Sequence, residues 1–350
     1  MSQKAMIAMS GGVDSSVAAY LTQQAGFTCA GATMLLCDNA LVPQVHDNTA
    51  DARQVAMRLG MDFYIWDARE LFRQKVVEIF VGSYESGLTP NPCVVCNQHL
   101  KFRYFTEKAQ ELGYDFVVTG HYAQIKQDPA TGKTLLYKAV NEAKDQSYFL
   151  ACIEPDQLSH IRFPLGGLTK EQVRQIALEQ GFINAQKRDS QDICFIPDGD
   201  YASFLRRYTD KVYPTGNFLD LQGKVVGQHS GAVDYTLGQR KGLGLALGEP
   251  VYVCQKDMQA NTVTVGPNSA LFSDTLIAKD WHWFCFDELT APLRVTAKAR
   301  SRHIPQAATV YPLEDGMAKV VFDAPQRALT PGQAVVLYDG DLVLGGGTIC

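Results

Sequence analysis

Three cysteines stand where thiol chemistry is easiest to run. "TPNPCVVCN" places Cys93 and Cys96 after two prolines, read as a loop, and "RDSQDICFIPDGDY" places Cys194 in a polar, acidic loop. A thiolate is a nucleophile, and it can carry a sulfane sulfur until a second thiol closes a disulfide on it. Cys93 and Cys96 also form C-x-x-C, a spacing that suits a redox couple or half of a metal site. The alternative is therefore an iron–sulfur cluster on Cys93, Cys96 and Cys194 that carries the sulfide. Cys29, Cys152, Cys254 and Cys285 lie in apolar runs and read as small hydrophobes; Cys37 and Cys350 stay unassigned.

A second constellation opens the chain. In "AMSGGVDSS", the residues Ala8, Met9, Ser10, Gly11, Gly12, Val13, Asp14 and Ser15 follow the apolar run from Ala5. The run reads as a buried strand. Val13, Val17, Ala18 and Leu21 then recur at near-helical spacing, with Gly26 as the stop. A strand–loop–helix corner offers unpaired N–H groups and the positive end of a helix dipole, which suits a phosphate or pyrophosphate. No lysine follows the glycines, so the corner is not the common ATP P-loop, and "SGGVDS" does not fit G-x-G-x-x-G either. Asp14 is read as either a ligand of an ATP-linked metal or a cap that fixes the loop.

The elements that must position these groups are legible. Through residue 205 the chain alternates strand and helix: "TCAGATML", "DFYIW" and "DFVVTGH" read as strands. Between them run helices carrying Ala52, Val55, Ala56 and Leu59, then Leu71, Phe72, Val76, Ile79 and Phe80, then Phe102, Phe105, Ala109 and Leu112. The fold class expected is α/β, with an N-terminal doubly wound parallel sheet covered on both faces. Ligands sit at the carboxyl ends of such strands, so Ser10–Ser15, the segment around Met34, and Gly120 with His121 point at one crevice. A lone histidine at a strand end is often structural, but its place at this edge favours function. Residues 206–270 are rich in glycine and hairpin signals and read as a small β-rich domain. Residues 271–350 alternate polar and apolar and read as a small β-barrel or sandwich. The expected domains are thus 1–205, 206–270 and 271–350.

Composition narrows the class. With 350 residues, 46% hydrophobic and 20% charged, the chain reads as an ordinary globular protein. No apolar run approaches a membrane span, and the expectation is no membrane partner. Nine scattered cysteines argue for a reducing cytosol rather than a disulfide framework. A net charge of −5 means that any nucleic-acid surface must be local. One candidate exists: from Leu289 to Pro312 there is no acidic residue, and Arg294, Lys298, Arg300 and Arg302 fall on one face of an alternating strand. Arg240 and Lys241 in "LGQRKGLG", and Lys101 and Arg103 after the cysteine pair, add charge.

The corner "SGGVDS" resembles the pyrophosphate loop of the ATP-pyrophosphatase (PP-loop) enzymes, of adenine nucleotide alpha hydrolase-like fold. Taken with "TPNPCVVCNQHLKF", "TGHYA", "KDQSYFL", "DSQDICFI" and "YTLGQRKGLG", the chain resembles the tRNA-specific 2-thiouridylase family over nearly its whole length. The resemblance implies a tRNA-uridine 2-sulfurtransferase that uses ATP, Mg²⁺ and a persulfide sulfur donor on the wobble uridine of the anticodon loop. Its partners would be tRNA and either a sulfur-relay protein or a cysteine desulfurase. It implies that Ala8–Ser15, Met34 and Gly120 hold ATP, that Cys96 is the nucleophile and that Cys194 is the persulfide carrier. Asn91, Pro92 and Cys93 would line the base pocket, and His121, Lys144, Asp145, Gln146, Arg300, Ser301 and Gln333 would touch tRNA. Cys93 departs from the pattern, since many relatives have an aspartate there; a thiol shuttles a proton less readily because its ordinary pKa is higher. Other readings are a PP-loop ligase acting on a small substrate and a non-catalytic RNA-binding protein. The first leaves the two β-rich regions without a role, and the second leaves the cysteines without one.

Overall fold

The computed structural model describes residues 2–38, 41–42, 48–187 and 193–350. The segment 189–192 of "DSQDICFI" lies outside them.

The first region holds strands β1 (Lys4–Ala8), β2 (Thr28–Leu35), β3 (Asp62–Asp67), β4 (Phe116–Val118), β5 (Gln124–Gln127), β6 (Thr134–Tyr137) and β7 (Ile161–Arg162). Five of them form a parallel sheet in the order β3-β2-β1-β4-β7. Its helices are α1 (Val13–Gln24), α2 (Thr49–Arg58), α3 from Arg69 to Glu85, α4 from Pro92 to Glu111, and α5 (Lys170–Glu179). Period-two alternation sends Ala5 and Ile7 of β1 into a core with Val17, Val55 and Val173. Met6 points the other way, to Phe105, Ala109 and Val117 of a second core. Both faces of the sheet are therefore covered, as the apolar runs require. Chain order reverses beside β1, so the crevice outside the ends of β1 and β4 is the topological switch point.

Cys93 and Cys96 are not in a loop. They occupy the first turn of α4, which begins at Pro92. Proline fits that position because its fixed φ is helical and its missing N–H would have no intrahelical partner. The helix then continues through a π-wound stretch, Asn97–Tyr104, before closing as Phe105–Glu111.

The region after residue 205 begins inside helix α6 (Tyr201–Thr209). Strands β8 (Gly216–Leu219), β9 (Val225–His229), β10 (Tyr252–Asp257) and β11 (Thr262–Gly266) then form a small sheet in the order β10-β11-β8-β9. The hairpin read from "VYVCQKDMQANTVTV" is β10 paired antiparallel to β11. Last come β12 (Phe272–Trp283), β13 (Leu293–Lys298), β14 (Gln306–Pro312), β15 (Ala318–Arg327), β16 (Ala334–Asp339) and β17 (Leu342–Ile349). Pairing of β12 with both β15 and β17 closes these six strands into an antiparallel barrel. Sequence periodicity left barrel and sandwich both open; closure is what removes the exposed edges.

The hairpin β5–β6 belongs to the first region in sequence but joins β17 at Tyr137 and Leu342. One core accordingly runs from Leu135, Leu136, Tyr148 and Leu150 into Phe284, Val336 and Tyr338 of the barrel. Tyr148, fully buried, donates its hydroxyl to the Ala334 carbonyl at 2.8 Å. Tyr148→Phe leaves that carbonyl unpaired and should cost about 1–3 kcal/mol, whereas Tyr148→Ala should cost about 3–5 kcal/mol through the cavity it opens. Chemical denaturation of the two variants checks the order.

Candidate active site

The glycine corner is built from backbone. Met9 continues the sheet by bonding from its N–H to the Ala32 carbonyl at 2.9 Å, and its own carbonyl accepts the Thr33 hydroxyl. Gly11 has φ +72°, and a Cβ there would lie 2.3 Å from the Asn48 carbonyl oxygen. Gly12 is the N-cap of α1 and supplies no side chain. Ser15 Oγ turns back into the loop, accepting from Ser10 N–H at 3.2 Å and donating to the Gly12 carbonyl at 3.0 Å. The loop is thus held open as a cradle of first-turn N–H groups at the positive end of a 12-residue helix.

Asp14 neither caps α1 nor stands free for a metal. Its two carboxylate oxygens accept Lys170 Nζ at 2.7 and 2.8 Å, and the Tyr122 hydroxyl adds a bond at 2.8 Å. Lys170 is buried at the start of α5, and Tyr122 follows β4, so this clasp fastens the corner to both. Gly120 belongs to the same joint: a Cβ there would sit 2.7 Å from Asp14 C and Ser15 N. Two further fasteners gave no sequence signal. Asn184 Nδ2 bonds the Gly11 carbonyl at 3.1 Å and Ser16 Oγ at 2.9 Å. Lys187 Nζ bonds Asn48 Oδ1 at 2.7 Å and Asp51 Oδ2 at 2.8 Å.

Cys96 shares a buried core with Phe195 and Ile196, the residues that follow Cys194. Lys101, one turn beyond Cys96 on α4, acts through its charge on Cys93, Cys96, Cys194 and His121. Burial pushes the Cys96 thiol up to about 12, with Lys101 opposing and Cys194 and Cys93 adding to the rise. Burial likewise raises Cys93. Cys194 goes the other way, lowered to about 7 first by the neighbouring Cys37 thiol, with Lys101 and the backbone N–H groups of Cys194 and Phe195 helping against burial. His121 is enclosed between the rings of Phe102 and Phe163, and Thr119 Oγ1 lies 2.7 Å from its Nδ1. Burial first, and Lys101 second, hold it well below the ordinary histidine range, so it is neutral. Met34 is the last residue but one of β2, opposite Trp66, beside the corner strand.

A seam between this crevice and the barrel collects most of the residues expected to meet RNA. Thr89 N–H bonds the Pro331 carbonyl at 2.9 Å, and Gln333 Nε2 bonds the carbonyls of Thr89 at 2.8 Å and Pro90 at 3.3 Å. Gln333 thereby holds the strap that leads into Asn91, Pro92 and Cys93. Asn91 reaches the Tyr148 hydroxyl, and Arg300 bonds the Leu237 carbonyl at 3.2 Å and the Thr330 hydroxyl. Asp145 is spent on its own turn, accepting Ala139 N–H at 3.0 Å and the Ser147 hydroxyl at 2.7 Å. Gln146 accepts the Tyr122 N–H at 2.9 Å. Lys144 lies in the short turn before them, and Ser301 is in the turn that follows Arg300, both half-buried.

The basic stripe is broken relative to the sequence reading. Arg294 is clamped by Asp323 on β15, the strand beyond β14, which no scan of the 289–312 window could reveal. Lys298 is half-buried over the Tyr148 ring at 5.9 Å. Arg302 has left the strand, because β13 stops at Lys298 and a turn follows. Among the described residues, no three His, Cys, Asp or Glu side chains are disposed to hold a metal ion.

Three family profiles cover the chain end to end: "tRNA methyl transferase HUP domain" over residues 3–198, "tRNA methyl transferase PRC-barrel domain" over 202–267, and "Aminomethyltransferase beta-barrel domain" over 273–349. The tRNA-specific 2-thiouridylase MnmA of Clostridioides difficile (strain 630) is 45% identical over 355 residues, spanning 100% of this chain and 98% of that protein. The chain belongs to the tRNA-specific 2-thiouridylase family. The 2-thiouridylases of Acetivibrio thermocellus and Clostridium acetobutylicum are 45% and 44% identical, over 99% and 100% of this chain and 99% and 100% of theirs. This chain's fold is α/β, with a parallel sheet in the first region and an antiparallel barrel at the C-terminus. Among the described residues, no helix is long and apolar enough to cross a membrane.

Two measurements test this thiouridylase site. Lys170→Ala should cost about 3 kcal/mol in denaturant unfolding, at the low end for breaking a buried pair, because Asp14 keeps 30% side-chain exposure. His121 should stay neutral by NMR as pH falls below 6.5. The unfolded chain then binds the extra proton, so His121 contributes stability above about pH 6.5 that is progressively lost on acidification.

Proposed function

We propose that the protein makes 2-thiouridine at the wobble position of tRNA, adenylating O2 with ATP and delivering persulfide sulfur to C2, with release of AMP and pyrophosphate. The observation that carries this reading is that Cys96 packs in the same buried core as Phe195 and Ile196, the residues that follow Cys194, in the region whose first strand leads into the "SGGVDSS" loop.

A uridine C2 carbonyl is a poor electrophile with a poor leaving oxygen. Attack of O2 on the α-phosphorus of ATP expels pyrophosphate and makes that oxygen part of a good leaving group. Residues Ala8–Ser15, Met34 and Gly120 form the nucleotide site, with N–H groups of the corner meeting the phosphates. Mg²⁺ enters with the nucleotide as part of MgATP. Asp14 holds the corner in place through its bonds to Lys170 and Tyr122.

Cys194 is the carrier, because a thiol near neutrality is substantially a thiolate and can accept a sulfane sulfur. The terminal sulfur then bonds to C2 while Cys96 attacks Cys194 Sγ. The old S–S bond breaks, a Cys96–Cys194 disulfide forms, and AMP leaves with O2. An external dithiol reduces the disulfide and resets the pair. Cys96 starts protonated, and the Lys101 charge lowers the cost of ionising it.

Asn91, Pro92 and Cys93 form the wall of the base pocket; His121, Lys144, Arg300 and Ser301 meet the RNA. Asp145, Gln146 and Gln333 shape the backbone that receives it. The division of labour is catalysis in 1–205, a spacer in 206–270 and RNA presentation in 271–350. The sulfur comes from a relay protein or a desulfurase in the cytosol.

Incubation with ATP, Mg²⁺, a persulfide donor and unmodified tRNA should yield 2-thiouridine and tRNA-dependent pyrophosphate. Cys96→Ser and Cys194→Ser should each abolish thiolation and keep nucleotide binding; full activity in either variant removes that residue's role. Pyrophosphate release driven by a small molecule without tRNA sinks the reading. Affinity for tRNA should fall steeply between low and physiological salt, because phosphate contacts release counterions. A filter-binding series at graded salt measures it.

A further inference from the structure

The glycine corner has no cation of its own. Residues 8–16 contain neither lysine nor arginine and one acid, Asp14, whose oxygens are met by Lys170. A triphosphate brings several negative charges to such a corner, and backbone N–H groups with a helix dipole answer only part of them. In the common P-loop a lysine directly after the glycines reaches the β- and γ-phosphates. Here the fold delivers a lysine to the corner from 176 residues along the chain.

Lys187 Nζ stands 3.5 Å from the Gly11 carbonyl oxygen. Asn48 Oδ1 holds it at 2.7 Å and Asp51 Oδ2 at 2.8 Å, from the N-cap and first turn of α2. Gly11 and Asn48 abut, so an ammonium group held by Asn48 is at the corner itself. The backbone that carries Lys187 is fixed. Asn184, 3% exposed, gives its Nδ2 to the Gly11 carbonyl at 3.1 Å and to Ser16 Oγ at 2.9 Å, and Lys187 N–H bonds the Asn184 carbonyl at 2.9 Å. The tip is freer. The Lys187 side chain keeps 38% of its surface exposed and Asp51 keeps 32%. An ion pair that open to water holds its partner weakly.

We propose that Lys187 is a phosphate-binding residue of the nucleotide site: its ammonium group leaves Asp51 and takes oxygens of the β- and γ-phosphates of ATP. The role rests on the reading of the corner as that site. A lysine suits it, being a compact charge with three donors on a flexible stem. In the adenylation step the uridine O2 bonds to the α-phosphorus, the bond from that phosphorus to the α–β bridging oxygen breaks, and its electron pair leaves with pyrophosphate. The Lys187 ammonium offsets the charge that gathers on that leaving group. Asp51 keeps the lysine at the corner between turnovers.

Calorimetric titration of the whole chain with ATP, pyrophosphate and AMP, each with Mg²⁺, tests the assignment in the wild type, Lys187→Ala, Lys187→Arg and Asp51→Asn. Lys187→Ala should weaken ATP and pyrophosphate roughly ten- to a hundredfold and leave AMP, which has no β-phosphate, within about twofold. Lys187→Arg, which keeps the charge, should bind ATP within about tenfold of the wild type. Asp51→Asn should bind ATP at least as tightly as the wild type, because it releases the ammonium group. Unchanged ATP affinity in Lys187→Ala overturns the proposal. So does a parallel loss of AMP, or an Asp51→Asn variant as weak as Lys187→Ala, since the lysine then only fastens the loop. Failure of the wild type to bind either ATP or pyrophosphate removes instead the nucleotide reading of the corner, and this role with it.

Discussion

The ion pair between Asp14 and Lys170 is the constraint on which this molecule's chemistry depends. Lys170 is buried, so its charge needs a partner, and Asp14 supplies one from the first turn of α1. Tyr122 joins the same carboxylate from beyond β4. Three segments distant in sequence are thereby locked at the switch point of one parallel sheet. The glycine corner gains its shape from this lock, and Gly120 can approach because it has no side chain to keep it away.

From that joint the thiols inherit their setting. α4 begins at the strap held by Gln333 and Pro331, and it brings Cys93, Cys96 and Lys101 along one short stretch of helix. The Cys194 segment and the end of β2 approach from the other side. The same four thiols then differ in acidity for reasons of place alone. Burial keeps Cys96 protonated, and a neighbouring thiol with a nearby ammonium brings Cys194 close to neutrality. Such a difference in acidity suits the proposed division between a nucleophile and a persulfide carrier.

The barrel is more than an appendage. Tyr148 and the β5–β6 hairpin extend one hydrophobic core from the first region into it, so the strap at Thr89–Cys93 is clamped by residues near the end of the chain. The "KDQSYFL" segment takes part in this clamp. Asp145 and Gln146 are occupied with backbone groups, and Tyr148 anchors the seam.

Local signals were enough to read the sheet, its helices and the glycine corner, because strand and helix periods and turn residues act over a few neighbours. Family motifs carried the rest of the site list. The sequence could not show that Asp14 pairs with Lys170, that Arg294 is neutralised by Asp323, or that Gln333 holds the strap at Thr89. Each of these is a contact between residues far apart in the chain, fixed by how elements pack rather than by any local preference. Charge and thiol acidity depend on such neighbours, so the tertiary structure alone decided which cysteine is acidic, which cations are already spent, and where the cradle is fastened.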